Sequence, residues 1–116
     1  MNRLPNFENA YVDIEKLTGY CLNEEHPIGK EKAIVFKSAL GIASGNANLL
    51  KDAILKGIKE NSSDEKGTDK FGKRYSVNIK VRIFDKEAVV ITGWIIKKGE
   101  NFPTLTTCYI KRKNEK

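Results

Sequence analysis

The only histidine of the chain stands in the run His26-Pro27-Ile28-Gly29-Lys30-Glu31-Lys32. An imidazole that titrates near neutrality beside two lysines suits proton exchange at a phosphate ester. By pattern Lys30 and Lys32 open a helix, where unpaired N–H groups and the helix dipole already draw anions. Lysines oppose that dipole unless an anion joins them, yet they are equally at home as solvated surface residues, with His26 shaping the loop. A second group is Lys73-Arg74-Tyr75 with Lys80 and Arg82, in a stretch from Lys70 to Arg82 that holds no acid. Arginine grips phosphate with two parallel hydrogen bonds and steadies the charge that builds on it during transfer. Tyr75 and Trp94 offer rings on which an unpaired base can stack, although both lie in apolar alternation that suits core packing. The third group, Thr107, Tyr109 and Lys111, shares one face of an extended run and presents two hydroxyls and an ammonium. Threonine and tyrosine are favoured in strands for packing alone as well.

Other chemistries lose ground. There is no second histidine, no set of His, Cys, Asp and Glu at metal-ligand spacing, and no glycine-rich phosphate loop closed by lysine. Cys21 and Cys108 form no CxxC pair and have no base beside them in sequence, which disfavours both thiol catalysis and a disulfide framework. No metal and no cofactor is expected.

These residues need elements to hold them. Asp13 is placed to cap a short helix over 14–21, with Ile14, Leu17 and Cys21 on one face. Pro27 and Gly29 break the next stretch into a loop. A second helix is predicted over 30–40, with Ala33, Phe36 and Leu40 on one face and Gly41 as its stop. A third runs over 47–60 with the apolar stripe Leu50, Ile54, Ile58. The polar, glycine-containing stretch 61–73 reads as a mobile loop. Then the period becomes two. Tyr75, Val77, Ile79, Val81 and Ile83 alternate with polar residues, Ala88–Ile96 forms a more uniformly apolar strand, and Leu105–Arg112 a third. The expected fold is α+β: two or three N-terminal helices packed on a C-terminal antiparallel meander of three strands, or four. One domain fills residues 1–116, ordered over about 4–110, with 1–3 and 112–116 as flexible tails. A meander leaves two edges, and a partner strand can cover one.

Charge is unevenly spread. Residues 70–116 carry twelve Lys and Arg against four Asp and Glu, while residues 1–27 carry two against five. The last third is therefore a candidate footprint for a polyanion, nucleic acid first. With no signal-type h-region and no apolar run near 20 residues, a cytoplasmic protein that neither crosses nor enters a membrane is expected.

Three stretches carry a resemblance: LPNFENAYVDIEKLTGYCLNEEHPIGKEKAIVFKSALGI, then KFGKRYSVNIKV, then VVITGWIIKKGENFPTLTTCYI. Over about residues 4–110 the chain resembles an uncharacterised, toxin-associated bacterial domain family, whose most distinctive element is HP.G..KA..F. Such domains occur alone beside small antitoxins or at the ends of larger toxin-like proteins. Their helices-then-sheet layout is similar to the barnase, EndoU, colicin and RelE group of ribonucleases. The resemblance implies metal-free transesterification of RNA, and motif positions at His26, Gly29, Lys32, Tyr75, Trp94, Thr107 and Tyr109. On that expectation His26, Arg74, Thr107 and Tyr109 are catalytic. Lys30, Lys32, Lys73, Tyr75, Lys80, Arg82, Trp94 and Lys111 would bind RNA. A cognate antitoxin or immunity protein is a candidate partner, and oligomeric state is left open. The alternative expectation is a module without chemistry that binds protein or nucleic acid, as an immunity, antitoxin-like or anti-defence factor.

Overall fold

The computed structural model describes residues 2–112. Met1 and residues 113–116, assigned above to flexible tails, lie outside the described residues. Asn2 and Arg3 are not loose: the Asn2 carbonyl accepts from the Ser63 amide at 2.6 Å, and Arg3 Nε donates to the Lys59 carbonyl at 2.7 Å.

The first helix, α1 (Ile14–Lys16), starts where Asp13 Oδ1 accepts from the Glu15 amide at 3.0 Å. It widens at once into a π turn over Leu17–Cys21, closed by the Leu22 amide on the Leu17 carbonyl at 2.8 Å. Thr18 and Gly19, poor helix formers, sit where the α ladder gives way. The wider turn still buries Leu17 and Cys21. Helix α2 (Lys30–Leu40) buries Ala33, Phe36 and Leu40 and stops at Gly41, whose φ of 70° is left-handed. Helix α3 (Ala47–Glu60) buries Leu50, Ile54 and Ile58. Gly57 lies within its buried stripe, and a Cβ there would stand 2.3 Å from Ile79 Cγ2. The helix is seated directly on the sheet at that point.

The sheet is an antiparallel meander of four strands in chain order: β1 (Ser63–Asp69), β2 (Gly72–Ile83), β3 (Lys86–Lys97) and β4 (Thr104–Ile110). Most of the stretch read as a mobile loop is thus a strand, paired with β2 from Ser63–Val77 to Asp69–Gly72. It holds no large apolar residue, so it shows no hydrophobic period; backbone pairing makes it, and its charges suit an edge. Asp69 Oδ1 closes the turn by accepting from the Phe71 amide at 2.8 Å.

One face of the sheet is covered. Tyr75, Val77, Ile79 and Val81 of β2 and Val90, Thr92 and Trp94 of β3 join the helices in a single core. Thr92 sits within it because both sides of its hydroxyl are used: it donates to the Val77 carbonyl and accepts from Trp94 Nε1, each at 2.8 Å. The other face carries Asn78, Lys80 and Arg82, all exposed. On β4 the register slips by one residue, since Gly93 faces Thr107 but Trp94 faces Leu105. Thr106 is the extra residue of a β-bulge.

Replacing Thr92 with valine keeps the shape and leaves the buried Trp94 N–H without an acceptor. Chemical denaturation should show a loss of about 1–3 kcal/mol. A variant as stable as the parent would mean that the indole finds another acceptor.

Candidate functional site on the open sheet face

Lys32 is the meeting point of distant segments. From the first turn of α2 its Nζ donates to Tyr20 Oη at 2.7 Å and to Thr107 Oγ1 at 3.1 Å. It lies 4.7 Å from the Tyr20 ring centre and 5.7 Å from that of Tyr109. None of the described carboxylates pairs with it. An ammonium has three donors, so one remains for an incoming anion. Tyr20, the residue that fixes Lys32 from below, carries no periodic signal, and only its place within the first of the three resembling stretches could have pointed to it.

His26 does something other than what its loop suggested. Its Nδ1 accepts from the Ile28 amide at 3.0 Å and the Gly29 amide at 2.9 Å, satisfying N–H groups at the entry to α2. Two donors at Nδ1 require its lone pair, so in this geometry Nδ1 is an acceptor and Nε2 is the ring's donor. No lone pair is left to take a substrate proton. The ring also packs edge-on against Tyr20, with centres 5.0 Å apart. Gly29 allows this close turn, since a Cβ there would meet the Tyr20 carbonyl oxygen at 2.3 Å. His26 is therefore a positioning residue for Tyr20, and through it for Lys32. Lys30 is exposed and outside the cluster.

The cationic run of β2 divides between faces and acquires partners. Lys73 shares the covered side with Tyr75 and pairs with Glu65 of β1 at 3.1 Å, which raises the lysine's pKa. Arg74 lies on the open face, and its Nε donates to Asp69 Oδ2 at 2.6 Å. That hydrogen bond, helped by the Phe71 amide, holds the Asp69 carboxyl below its usual value. The pairing is thus complete above that lowered value and is lost as pH falls through it. Lys80 approaches Glu87 at 3.8 Å. Trp94, 1 % exposed, and Tyr75, 8 %, belong to the core, so neither ring can stack a base.

On the open face the strands align in rows. Ser76, Gly93 and Thr107 are opposite one another, as are Asn78, Ile91 and Tyr109. Arg74 lies beyond the first row, and Lys80 beyond the second. The Lys111 amide extends the pairing by donating to the Val89 carbonyl at 2.8 Å, so Lys111 continues the alternation of Thr107 and Tyr109. A recess of about 250 Å3 opens over Gly93, lined by Lys66, Arg74, Ser76, Thr106, Thr107 and Tyr109. Beneath Lys32, Cys21 and Cys108 are fully buried together. The Cys108 thiol donates to the Cys21 sulfur, which with burial pushes Cys108 well above its usual value. The same hydrogen bond, joined by the Cys108 amide and the Lys32 charge, lowers Cys21 to about 7 against the opposing effect of burial.

Helices on one face of a four-stranded meander, with hydroxyls and cations on the other, define the class: an α+β domain with an open, basic sheet. The chain belongs to the family described as a domain of unknown function, DUF6883, whose model matches residues 3–112. No curated protein and no solved structure matches it. No helix among the described residues is long and apolar enough to cross a membrane.

Two substitutions check this geometry. His26→Ala should cost about 1 kcal/mol of stability, as the loss of a helix-entry cap does, and should shift the NMR signals of Tyr20; an unmoved Tyr20 would separate the two rings. Arg74→Ala should return the Asp69 carboxyl towards its ordinary value in an NMR pH titration. An unchanged titration would show that the turn amides alone hold it down.

Proposed function

We propose that this domain is a metal-independent endoribonuclease of the bacterial toxin type, acting on RNA in the cytoplasm through its open sheet face. The observation that carries the reading is Lys32, an ammonium paired with none of the described carboxylates and held against Thr107 and beside Tyr109, two residues that line a recess with Arg74. The 2′-hydroxyl of RNA attacks its own phosphodiester. The bond from the 2′-oxygen to phosphorus forms, that to the 5′-oxygen breaks, and a 2′,3′-cyclic phosphate and a 5′-hydroxyl result. Negative charge grows on the non-bridging oxygens, where Lys32 and Arg74 stabilise it. Thr107 orients the phosphate. Tyr109 exchanges the proton, because the His26 ring has no lone pair to offer. Lys80, Arg82 and Lys111 hold flanking phosphates along the face. A cognate antitoxin or immunity protein would act by covering the same surface.

One observation favours a second reading, a binding module without chemistry: the only imidazole is committed to a structural cap. A face with cations and hydroxyls but no histidine base holds RNA and leaves it intact.

Incubation of the purified protein in stoichiometric excess, in chelator, with total bacterial RNA and with single-stranded DNA separates the two. Discrete RNA fragments ending in cyclic phosphate, with DNA untouched, are expected. Lys32→Met, still folded by circular dichroism, should then slow cleavage about 100-fold or more, as removal of a donor from developing charge does. Intact RNA at every pH, with binding that weakens as salt rises, would give the second reading. Neither cleavage nor binding would reject both.

A further inference from the structure

Gly93 stands in the middle of β3, with no left-handed φ to require glycine. Glycine in a strand interior is unfavourable, and where no turn demands it the usual reason is close approach by something else. Here the bulge opposite it and two side chains of β4 already come close. The nearest atoms to a Cβ at this position would be Thr106 Oγ1 and Thr107 Cγ2, each at 3.1 Å, with the Thr107 carbonyl oxygen farther off at 3.8 Å. The bulge at Thr106 and the missing side chain at 93 act together. One sets two threonines side by side on the strand's neighbour, and the other makes room for them in the lining of a recess of about 250 Å3.

The walls of that recess are of mixed kind. Ser76, Thr106 and Thr107 supply hydroxyls, Ile91 and the Tyr109 ring supply apolar surface, and Lys66 and Arg74 stand at the rim. A purely apolar guest would leave the hydroxyls unpaired, and a bare anion would gain nothing from Ile91 and Tyr109. A flat ring whose edge both donates and accepts hydrogen bonds, attached to a negative group, satisfies all three. The volume is below the roughly 300–1,000 Å3 of sites for drug-sized ligands, so it takes one ring system.

Resting on the ribonucleic-acid reading above, we infer that the recess over Gly93 seats one unpaired nucleobase, with its phosphate towards Arg74, so that the domain selects single-stranded RNA. A base in a duplex already uses its pairing edge and is not free to enter a sheet. The base lies against Ile91 and the Tyr109 ring, and the Ser76 and Thr106 hydroxyls meet its edge.

The test uses the whole protein and three probes: 5′-mononucleotides, ribose 5-phosphate, and single-stranded or duplex RNA of equal length. In NMR titrations mononucleotides should shift the Gly93, Thr106 and Thr107 amides, and ribose 5-phosphate should not. Single strands should bind at least about fivefold more tightly than duplex, the ratio that stacking of one base supplies. Gly93→Ala should abolish that preference. Should that variant fail to fold, Thr106→Val keeps the shape, loses one hydroxyl, and should weaken mononucleotide binding with the melting temperature unchanged. Equal binding of both RNA forms, or mononucleotide shifts located elsewhere, would overturn the base seat while leaving the RNA reading in place. No binding of either RNA would overturn the reading itself.

Discussion

The structure depends on the seating of the helical layer against one face of the meander, and the tightest point of that seating is Gly57 over Ile79. A side chain at 57 would lie within 2.3 Å of Ile79 Cγ2, so α3 meets β2 at a distance that only glycine permits. Glycine in a helix costs about 1 kcal/mol relative to alanine, and here the close packing it allows offsets that cost. Because the helices cover this face, the buried residues of β2 and β3 are apolar, apart from Thr92, whose hydroxyl is bonded on both sides. The opposite face is released from packing. Its residues can be chosen for charge and hydroxyl chemistry, and they are: Arg74, Ser76, Asn78, Lys80 and Arg82 follow one another along β2.

What sequence reading recovered follows from where the hydrophobic period is strong. The stripes Ala33-Phe36-Leu40 and Leu50-Ile54-Ile58 located α2 and α3 at their observed bounds, and alternation from Tyr75 to Ile83 located most of β2. Strand β1 was invisible because its seven residues, Ser-Asp-Glu-Lys-Gly-Thr-Asp, bury almost nothing and so have no period to read. The π turn was invisible for another reason. Widening one helical turn moves hydrogen bonds without changing which of Leu17 and Cys21 face inward, so the spacing stays compatible with an α-helix.

Charge behaved similarly. The absence of acids between Lys70 and Arg82 suggested an unbroken cationic edge, but pairing is between strands. Glu65 and Asp69 come from β1, Glu87 from β3, and each neutralises a cation that is far from any acid along β2 itself. The least compensated cation in the cluster proved to be Lys32, which pairs with none of the described carboxylates and is held by Tyr20 and Thr107, residues 12 and 75 positions away. No local pattern contains that information. His26 shows the converse: its rarity marked it as reactive, whereas the two amides at Nδ1 show a cap. A single histidine next to proline and glycine is as well explained by the geometry of a tight helix entry as by proton transfer.

The β4 strand illustrates how one inserted residue serves core and surface at once. In an unbroken strand Leu105, Thr107 and Tyr109 would share a face, because side chains alternate with a period of two. Either Leu105 would be exposed or the two hydroxyls would be buried under the helices, where Thr107 and Tyr109 would each need a partner. The extra residue at Thr106 shifts the phase between the two halves. Leu105 and Cys108, three apart, both turn inward, and Thr107 and Tyr109 turn to the open face and to Lys32. The same shift puts Thr106 beside Thr107, above the one position of β3 that lacks a side chain. Core packing, the orientation of the hydroxyls and the recess over Gly93 therefore have a common origin in the phase of a single strand.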